Sequence, residues 1–194
     1  MKINNLQFLL ITFINHFLLG HCILPSILNR PSNIFLQKLC AVGAVFFLDP
    51  LISYGDSSKK LTNLNPTDIS SIVRDDVEKR QALITADFTR SIYQDNCQFQ
   101  DEIDVYDIDA YIKGTKALFN PSKSHVDLIG DVTATDKEVT FKFSEYLTFN
   151  IPFNPRVDLT GRVVFTRADD GLISYSREFW DQPVSEVLKT IKFN

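Results

Sequence analysis

The sequence predicts an α+β domain in which N-terminal helices pack on a strongly curved antiparallel sheet. Residues 66–119 carry apolar side chains at spacings of three and four, which is the period of an amphipathic helix. Beyond Pro121 the apolar period changes to two, which is typical of an antiparallel sheet with one buried face. Because the helices precede the strands in the chain, we expect them to lie together on one face of the sheet.

Three signals place the start of the first helix. Asn65 can cap the helix, Pro66 suits its first position, and Asp68 lies three residues after the cap. A break is expected near Arg80, where the spacing is interrupted. The apolar face of this long helix comprises Ile69, Ile72, Val73, Val77, Ile84 and Phe88.

The later elements follow from the same two periods. A second helix is predicted over residues 107–119, and the alternation of residues 96–101 predicts a short strand between the helices. The strands that follow contain residues 126–128, 139–143, 157–165 and 172–181, with turns at residues 135–137 and 168–171. Pro183 then opens a short helix over residues 184–191.

The first part of the chain differs sharply from the rest. Residues 1–48 contain no Asp or Glu, and residues 6–19 form an apolar run of signal-peptide length. Small residues at Gly20 and Cys22 suit cleavage after Cys22. We therefore assign residues 1–22 to a signal-peptide-like segment.

A second apolar run covers residues 34–51 and is followed by a second site of small residues, Ser53 and Gly55. Two successive segments of this kind resemble the multipart presequences of thylakoid-lumen proteins in algae. This resemblance implies that residues 23–55 are a transit and lumen-transfer segment and that the protein is delivered to the chloroplast, to the thylakoid lumen. The alternative is a membrane anchor within residues 34–54, which implies a secreted or membrane-anchored protein. In either case the presequence would contact a membrane before its removal.

What remains is an acidic domain with a polar, flexible lead-in over residues 56–65. The whole chain has a net charge of −4, whereas residues 56–194 carry 17 Lys and Arg against 23 Asp and Glu, a net charge of −6. Nucleic-acid binding relies on clustered cations, so we expect no nucleic-acid partner. The three cysteines, Cys22, Cys40 and Cys97, are isolated, so we expect neither a metal site nor a cofactor.

Several short motifs appear in a characteristic order within residues 66–194. Ser91-Ile-Tyr-Gln-Asp95 precedes the strand Cys97-Gln-Phe-Gln-Asp-Glu102, a helix with Tyr111-Ile-Lys-Gly114 follows, and the last strand reads Ser176-Arg-Glu-Phe-Trp-Asp181. This order resembles the nuclear transport factor 2-like superfamily, specifically its SnoaL-like type with plastid and cyanobacterial branches. The resemblance spans about Asp68 to Phe193. It implies a cone-shaped domain whose bent sheet and helices enclose an apolar pocket.

The candidate catalytic residues are Asp101, His125 and Tyr93. Asp101 lies where the first strand would meet the mouth of the cone, and apolar surroundings there could raise the pKa of its carboxyl enough for general base catalysis. His125 is the one histidine after residue 55 and is the natural proton-transfer partner of Asp101 or Asp127. Tyr93 could donate its hydroxyl to an enolate, as could Tyr106 or Tyr146. The alternatives are an exposed acidic pair at Asp101-Glu102 and a surface histidine.

The candidate ligand-binding residues are Arg177, Trp180, Phe99 and Tyr175. Arg177 could anchor a ligand carboxylate or form an ion pair with Asp101. Trp180 could instead be a packing anchor against the first helix, in which case its indole N–H needs an acceptor.

Two functions from different classes are consistent with these residues. The first is a non-catalytic, plastid-targeted module that binds a small apolar ligand or a protein partner, and its sheet could also pair two copies in a homodimer. The second is a proton-transfer enzyme, an isomerase, cyclase or dehydratase, that uses Asp101 and His125. Because this fold supports many activities, the arrangement of the side chains must decide between them.

Overall fold

A computed structural model describes residues 59–193 of the chain. The predicted N-terminal segments, 1–22 and 23–55, and the first part of the lead-in lie outside the described residues. The helices are α1 (Pro66–Glu78), α2 (Ala82–Thr85), α3 (Ile108–Leu118) and α4 (Val184–Val187). The strands are β1 (Tyr93–Gln100), β2 (Val105–Asp107), β3 (His125–Ala134), β4 (Glu138–Thr148), β5 (Arg156–Arg167) and β6 (Ile173–Trp180). Within residues 59–193, no helix is both long and apolar enough to span a membrane.

The six strands form a single curved sheet in the order β2-β1-β6-β5-β4-β3. Strands β3 to β6 form the antiparallel meander that the alternation predicted, and β2 pairs with β1 in the same manner. The pairing of β1 with β6 is parallel, so the sheet is not wholly antiparallel. This pairing joins the first and last long strands of the domain, and a local sequence pattern carries no signal for it. The α+β fold class is confirmed.

Helix α1 begins and ends as the sequence predicted. The side chain of Asn65 accepts a hydrogen bond from the backbone N–H of Asp68 at 2.9 Å, which satisfies one of the donors left unpaired at a helix start. Gln81 adopts a left-handed conformation with φ of 57°, and this interrupts the helix between α1 and α2. Helix α1 packs on β3 through its buried apolar face, which includes Ile69, Val73 and Val77.

The apolar core lies between the helices and the concave face of the sheet. Alternate side chains of β4 and β5 contribute to it, among them Val139, Phe141, Phe143, Val163 and Phe165. At Gly161 the neighbouring strand approaches so closely that a Cβ atom there would lie 2.3 Å from the carbonyl oxygen of Phe179. Only glycine permits this close contact between β5 and β6.

The described part of the lead-in is bound to the domain by backbone hydrogen bonds. The N–H groups of Leu61 and Asn63 donate to the carbonyl oxygens of Ser91 and Asp170, both at 2.9 Å. Arg167 is 4% exposed and binds three carbonyl oxygens, those of Gly171, Thr135 and Leu64. From Leu61 to Leu64, therefore, the segment that we expected to be flexible is part of the folded structure.

Candidate functional site

A cavity lies between the helices and the concave face of the sheet. Side chains from α1, α2, β1, α3 and strands β4 to β6 line it. The space open to the centres of water-sized molecules is about 20 Å³, enough for roughly one or two waters. Most of the surface inside the cavity is apolar, because Val73, Val77, Phe141, Val163 and Phe165 contribute to its lining.

One side of the cavity is formed by four aromatic rings, which we call the aromatic wall: Phe88, Tyr93, Phe99 and Tyr111. The rings of Phe99 and Tyr111 are stacked, with centroids 4.3 Å apart and planes 19° apart. Phe88 lies 5.6 Å from Phe99 and 6.0 Å from Tyr111, and Tyr93 lies 5.8 Å from Phe99. Offset stacking of this kind is favourable and stabilises the wall.

Asp101 lies directly after β1, and its side chain lines the cavity. Its Oδ1 atom accepts hydrogen bonds from the backbone N–H groups of Ile103 at 2.7 Å and Asp104 at 2.9 Å. Burial raises the pKa of this carboxyl, and the two hydrogen bonds oppose that rise in part. The turn after β1 therefore fixes the direction in which Asp101 presents its carboxyl group.

Glu178 projects from β6 into the same cavity. Its Oε1 accepts a hydrogen bond from the indole N–H of Trp180 at 2.5 Å. Burial raises the pKa of Glu178 to about 7, the negative charge of Asp101 adds to the rise, and the Trp180 hydrogen bond and the charge of Arg177 oppose it. A carboxyl group with a pKa near neutrality can accept or release a proton at physiological pH.

Glu145 on β4 is a third acid on the concave side of the sheet. It is 6% exposed, and its Oε2 atom has no hydrogen-bond partner among residues 59–193. Burial holds the pKa of Glu145 well above its usual range, and the charge of Glu178 raises it further. Tyr106 is also buried, and its hydroxyl likewise lacks a partner among the described residues. Unpaired polar atoms are costly in a protein interior, so these two require an explanation.

A fourth acid at the cavity, Asp76 on α1, has a structural role. Its two carboxylate oxygens accept hydrogen bonds from the backbone N–H and the hydroxyl of Thr89, each at 2.8 Å. The guanidinium of Arg80 lies 3.3 Å from Oδ1. Burial raises the pKa of Asp76, and these contacts oppose the rise. Asp76 therefore ties α1 to the segment that leads into β1.

The structure brings Asp101, Tyr93 and Phe99 of the predicted site to one cavity. His125 is not among the residues that line it. Its ring lies on the other face of β3, 3.1 Å from the carboxylate of Asp127 and 5.9 Å from the ring centroid of Tyr146. The side chains of His125 and Asp127 are 45% and 70% exposed. The predicted partnership of His125 with Asp101 is therefore not formed, because β3 and β1 lie far apart in the sheet order.

Arg177, Tyr175 and Trp180 also lie outside the cavity lining. Arg177 binds the backbone carbonyl of Asp101 and pairs with the carboxylate of Glu102 at 3.0 Å, so the ion pair that we predicted with the Asp101 carboxylate forms with its neighbour instead. The hydroxyl of Tyr175 bonds to the side chain of Gln100. The indole of Trp180 has the acceptor that we expected it to need, and that acceptor is Glu178.

Sequence reasoning missed Glu178 and Tyr111, which line the cavity, and Glu145, which lies on the same concave side of the sheet. The alternation of β6 already placed Ser176, Glu178 and Trp180 together on one face, and that signal could have identified Glu178. For Glu145 the signal was an acid in an otherwise apolar series of alternate positions, between Phe143 and Leu147.

The raised pKa of Glu178 predicts how stability depends on pH. Its folded pKa lies near 7 and its ordinary value is 4.5, so the folded state holds its proton more tightly. The contribution of Glu178 to the free energy of unfolding is therefore fully present below about pH 4.5 and is lost as the pH rises through 7. In Glu178→Gln the free energy of unfolding should decline less with rising pH, by at most about 3 kcal/mol, because one pKa unit corresponds to roughly 1.4 kcal/mol. Urea unfolding from pH 4.5 to 8 measures it, with the exposed Glu138→Gln as the control. Identical pH profiles for Glu178→Gln and the unmodified protein would contradict a proton held on Glu178.

No protein-family profile matches the chain, and no curated protein matches it. Among solved structures, SalBIII, an epoxide hydrolase/cyclase-like enzyme with a role in pyran ring formation in the polyether salinomycin, is 19% identical with a TM-score of 0.46. The match covers 66% of this chain and 97% of that one. An NTF2-like protein from Anabaena variabilis is 14% identical with a TM-score of 0.40, over 53% of this chain and 80% of that one. These likenesses concern the fold alone. The described domain has the α+β class, the helix and strand order and the curved sheet that the sequence predicted.

Proposed function

We propose that the domain is a ligand-binding module that holds a small molecule with an apolar body in the cavity behind the aromatic wall. The observation that supports this function is the cavity itself, which combines apolar walls with a few fixed polar groups. The free space is narrow, so the ligand inserts a small group between the rings. Leu83, Phe88 and Tyr111 are half-buried and provide the part of the lining that is free to adjust to a larger body.

Blocking the cavity tests this function. Benzyl alcohol is a suitable neutral probe, and it should bind weakly, with a Kd of about 1 mM for a ligand of this size. Binding should shift the backbone amide NMR signals of residues at the cavity. Ser176→Leu and Leu83→Trp fill the cavity and should abolish these shifts.

The matched control is Ser144→Leu, which lies on β4 between the buried Phe143 and Glu145 and so points to the opposite face of the sheet. Ser144→Leu should retain the amide shifts. Binding that persists in both folded blocking variants would show that the probe occupies another part of the protein.

Proton transfer is a second candidate function, with Glu178 in the role that the sequence suggested for His125. The specific observation in its favour is that two carboxyl groups, Asp101 and Glu178, line one apolar cavity and both have raised pKa values. An isomerisation of a small enone would use one as the base and the other as the acid.

The rate of such an isomerisation should change with pH around the pKa of Glu178, near 7, because the ionised fraction of the base changes there. Glu178→Gln and Asp101→Asn should each lower kcat by about 100-fold or more, whereas His125→Ala should leave kcat unchanged. Turnover that survives in both carboxyl variants would exclude this function.

We further propose that the acid-free N-terminal region is a targeting sequence that directs the domain to the thylakoid lumen. The support is the pair of apolar runs, each followed by small residues at a cleavage-type spacing. The native protein should then begin near Asp56, which N-terminal sequencing of protein from its own source would detect. A native protein that begins at Met1 or near Ile23 would contradict a two-part targeting sequence.

A further inference from the structure

We propose that the ligand of this cavity is a small organic cation, a protonated amine carried on an apolar body. This inference rests on the proposed function and names the class of ligand for the same site. Carboxyl groups from separate elements line one cavity together with the aromatic wall, and none of the side chains that line it is a Lys, Arg or His.

The charge of the lining is therefore of one sign. Asp101 and Glu178 both lie at the cavity, whereas Asp76, which also lines it, is paired with Arg80 and accepts two hydrogen bonds from Thr89. Arg177 does not neutralise Asp101 or Glu178 by direct pairing, because its guanidinium binds the backbone carbonyl of Asp101 and the carboxylate of Glu102. Two acids thus face a cavity that contains no countercharge from its own walls.

Glu145 is an independent sign of a missing partner. It is more than nine-tenths buried, and it shares the concave face of β4 with Phe141, which lines the cavity. Its Oε2 atom has no hydrogen-bond partner among the described residues. The charge of Glu178 acts on Glu145, and both act on Tyr111 of the aromatic wall. A donor placed among these groups would satisfy an acceptor that the protein leaves unpaired.

The aromatic wall suits a cation as well as an apolar body. The negative faces of Phe and Tyr rings attract ammonium groups, with a contribution of about 0.5 to 2 kcal/mol that grows as water is excluded. An ammonium head group is similar in size to the one or two waters for which the cavity has room. The apolar body of the ligand would lie against Phe88 and Tyr111.

The same lining disfavours other classes of ligand. An anion would face the carboxyl groups of Asp101 and Glu178 with no cation in the lining to balance its charge, and a neutral molecule would gain no charge pairing from either group. The charges of Asp101 and Glu102 after β1 and of Arg177 on β6 act on Glu178, which also accepts the hydrogen bond from Trp180. The charge of Glu178 in turn acts on Glu145 on β4, Tyr106 on β2 and Tyr111 on α3. Arg177 is the one cation among them, and it is engaged by Glu102. A cationic ligand would therefore favour the ionised form of Glu178 and release a proton near neutral pH.

A matched set of three probes tests the charge of the ligand on the full chain. Benzylamine, benzyl alcohol and benzoate have the same ring and differ in charge. At pH 8 benzylamine should bind about tenfold or more tightly than benzyl alcohol, and benzoate should not bind, as measured by calorimetry. The advantage of benzylamine should shrink at pH 6. Titration at pH 7 in two buffers with different ionisation enthalpies should show proton release.

Variants identify the groups responsible and separate this inference from the proposed function. Glu178→Gln should remove the preference for benzylamine over benzyl alcohol, and Asp101→Asn should reduce that preference. Glu138 is an exposed acid on β4, and Glu138→Gln should change the binding of neither benzylamine nor benzyl alcohol. Equal binding of benzylamine and benzyl alcohol, without proton release, would overturn the cationic ligand but retain the ligand-binding function. Absence of binding by all three probes would overturn both the cationic ligand and the ligand-binding function. The comparison of the probes uses the unmodified protein and so does not depend on the folding of any variant.

Discussion

The parallel pairing of β1 with β6 is the constraint on which the cavity depends. Its register places Phe99 beside Ser176 and Gln100 beside Arg177. The next step along both strands brings Asp101 next to Glu178, so the two cavity acids come together as a direct result of this register. The residues are more than seventy positions apart in the chain. Their meeting therefore depends on closure of the whole sheet, which carries the entropic cost of a long loop.

This dependence explains which parts of the molecule the sequence predicts well. The start of α1 is encoded within four residues by Asn65, Pro66 and Asp68, and the strands of the meander are encoded by alternation along each segment. These signals are local, and the corresponding elements agree with the structure. The position of Asp101 at the cavity followed from a resemblance of element order, which preserves the position of a strand end.

The remaining parts of the site depend on contacts between distant segments. His125 begins β3, which is separated from β1 by three strands, and no sequence rule gives that separation. Alternation places Glu178 on the same face of β6 as Ser176, but it does not show that this face is the inner one or that Asp101 is the neighbour, which depends on the parallel register. The raised pKa values of Asp101 and Glu178 result chiefly from burial, a property of the assembled interior.

The domain treats its buried charges in two different ways. Arg167 is surrounded by three carbonyl oxygens and so has its hydrogen bonds satisfied by the backbone. The acids at the cavity have fewer partners, and Glu145 retains an unpaired oxygen among residues 59–193. Natural proteins tolerate such costs mainly where a site performs a function. The contrast supports a distinction between Arg167 as a structural residue and the carboxyl groups as the site.

The carbonyl contact between Arg167 and Leu64 has a further consequence for where the folded unit starts. Arg167 ends β5 and at the same time contacts the turn between β3 and β4 through Thr135 and the chain before α1 through Leu64. Three segments that are remote in sequence therefore share one guanidinium group. A protein that began at the first helix would lack the carbonyl oxygen of Leu64, one of the acceptors of Arg167. Part of this buried cation would then have no hydrogen-bond partner. In physical terms, the domain begins several residues before its first regular element.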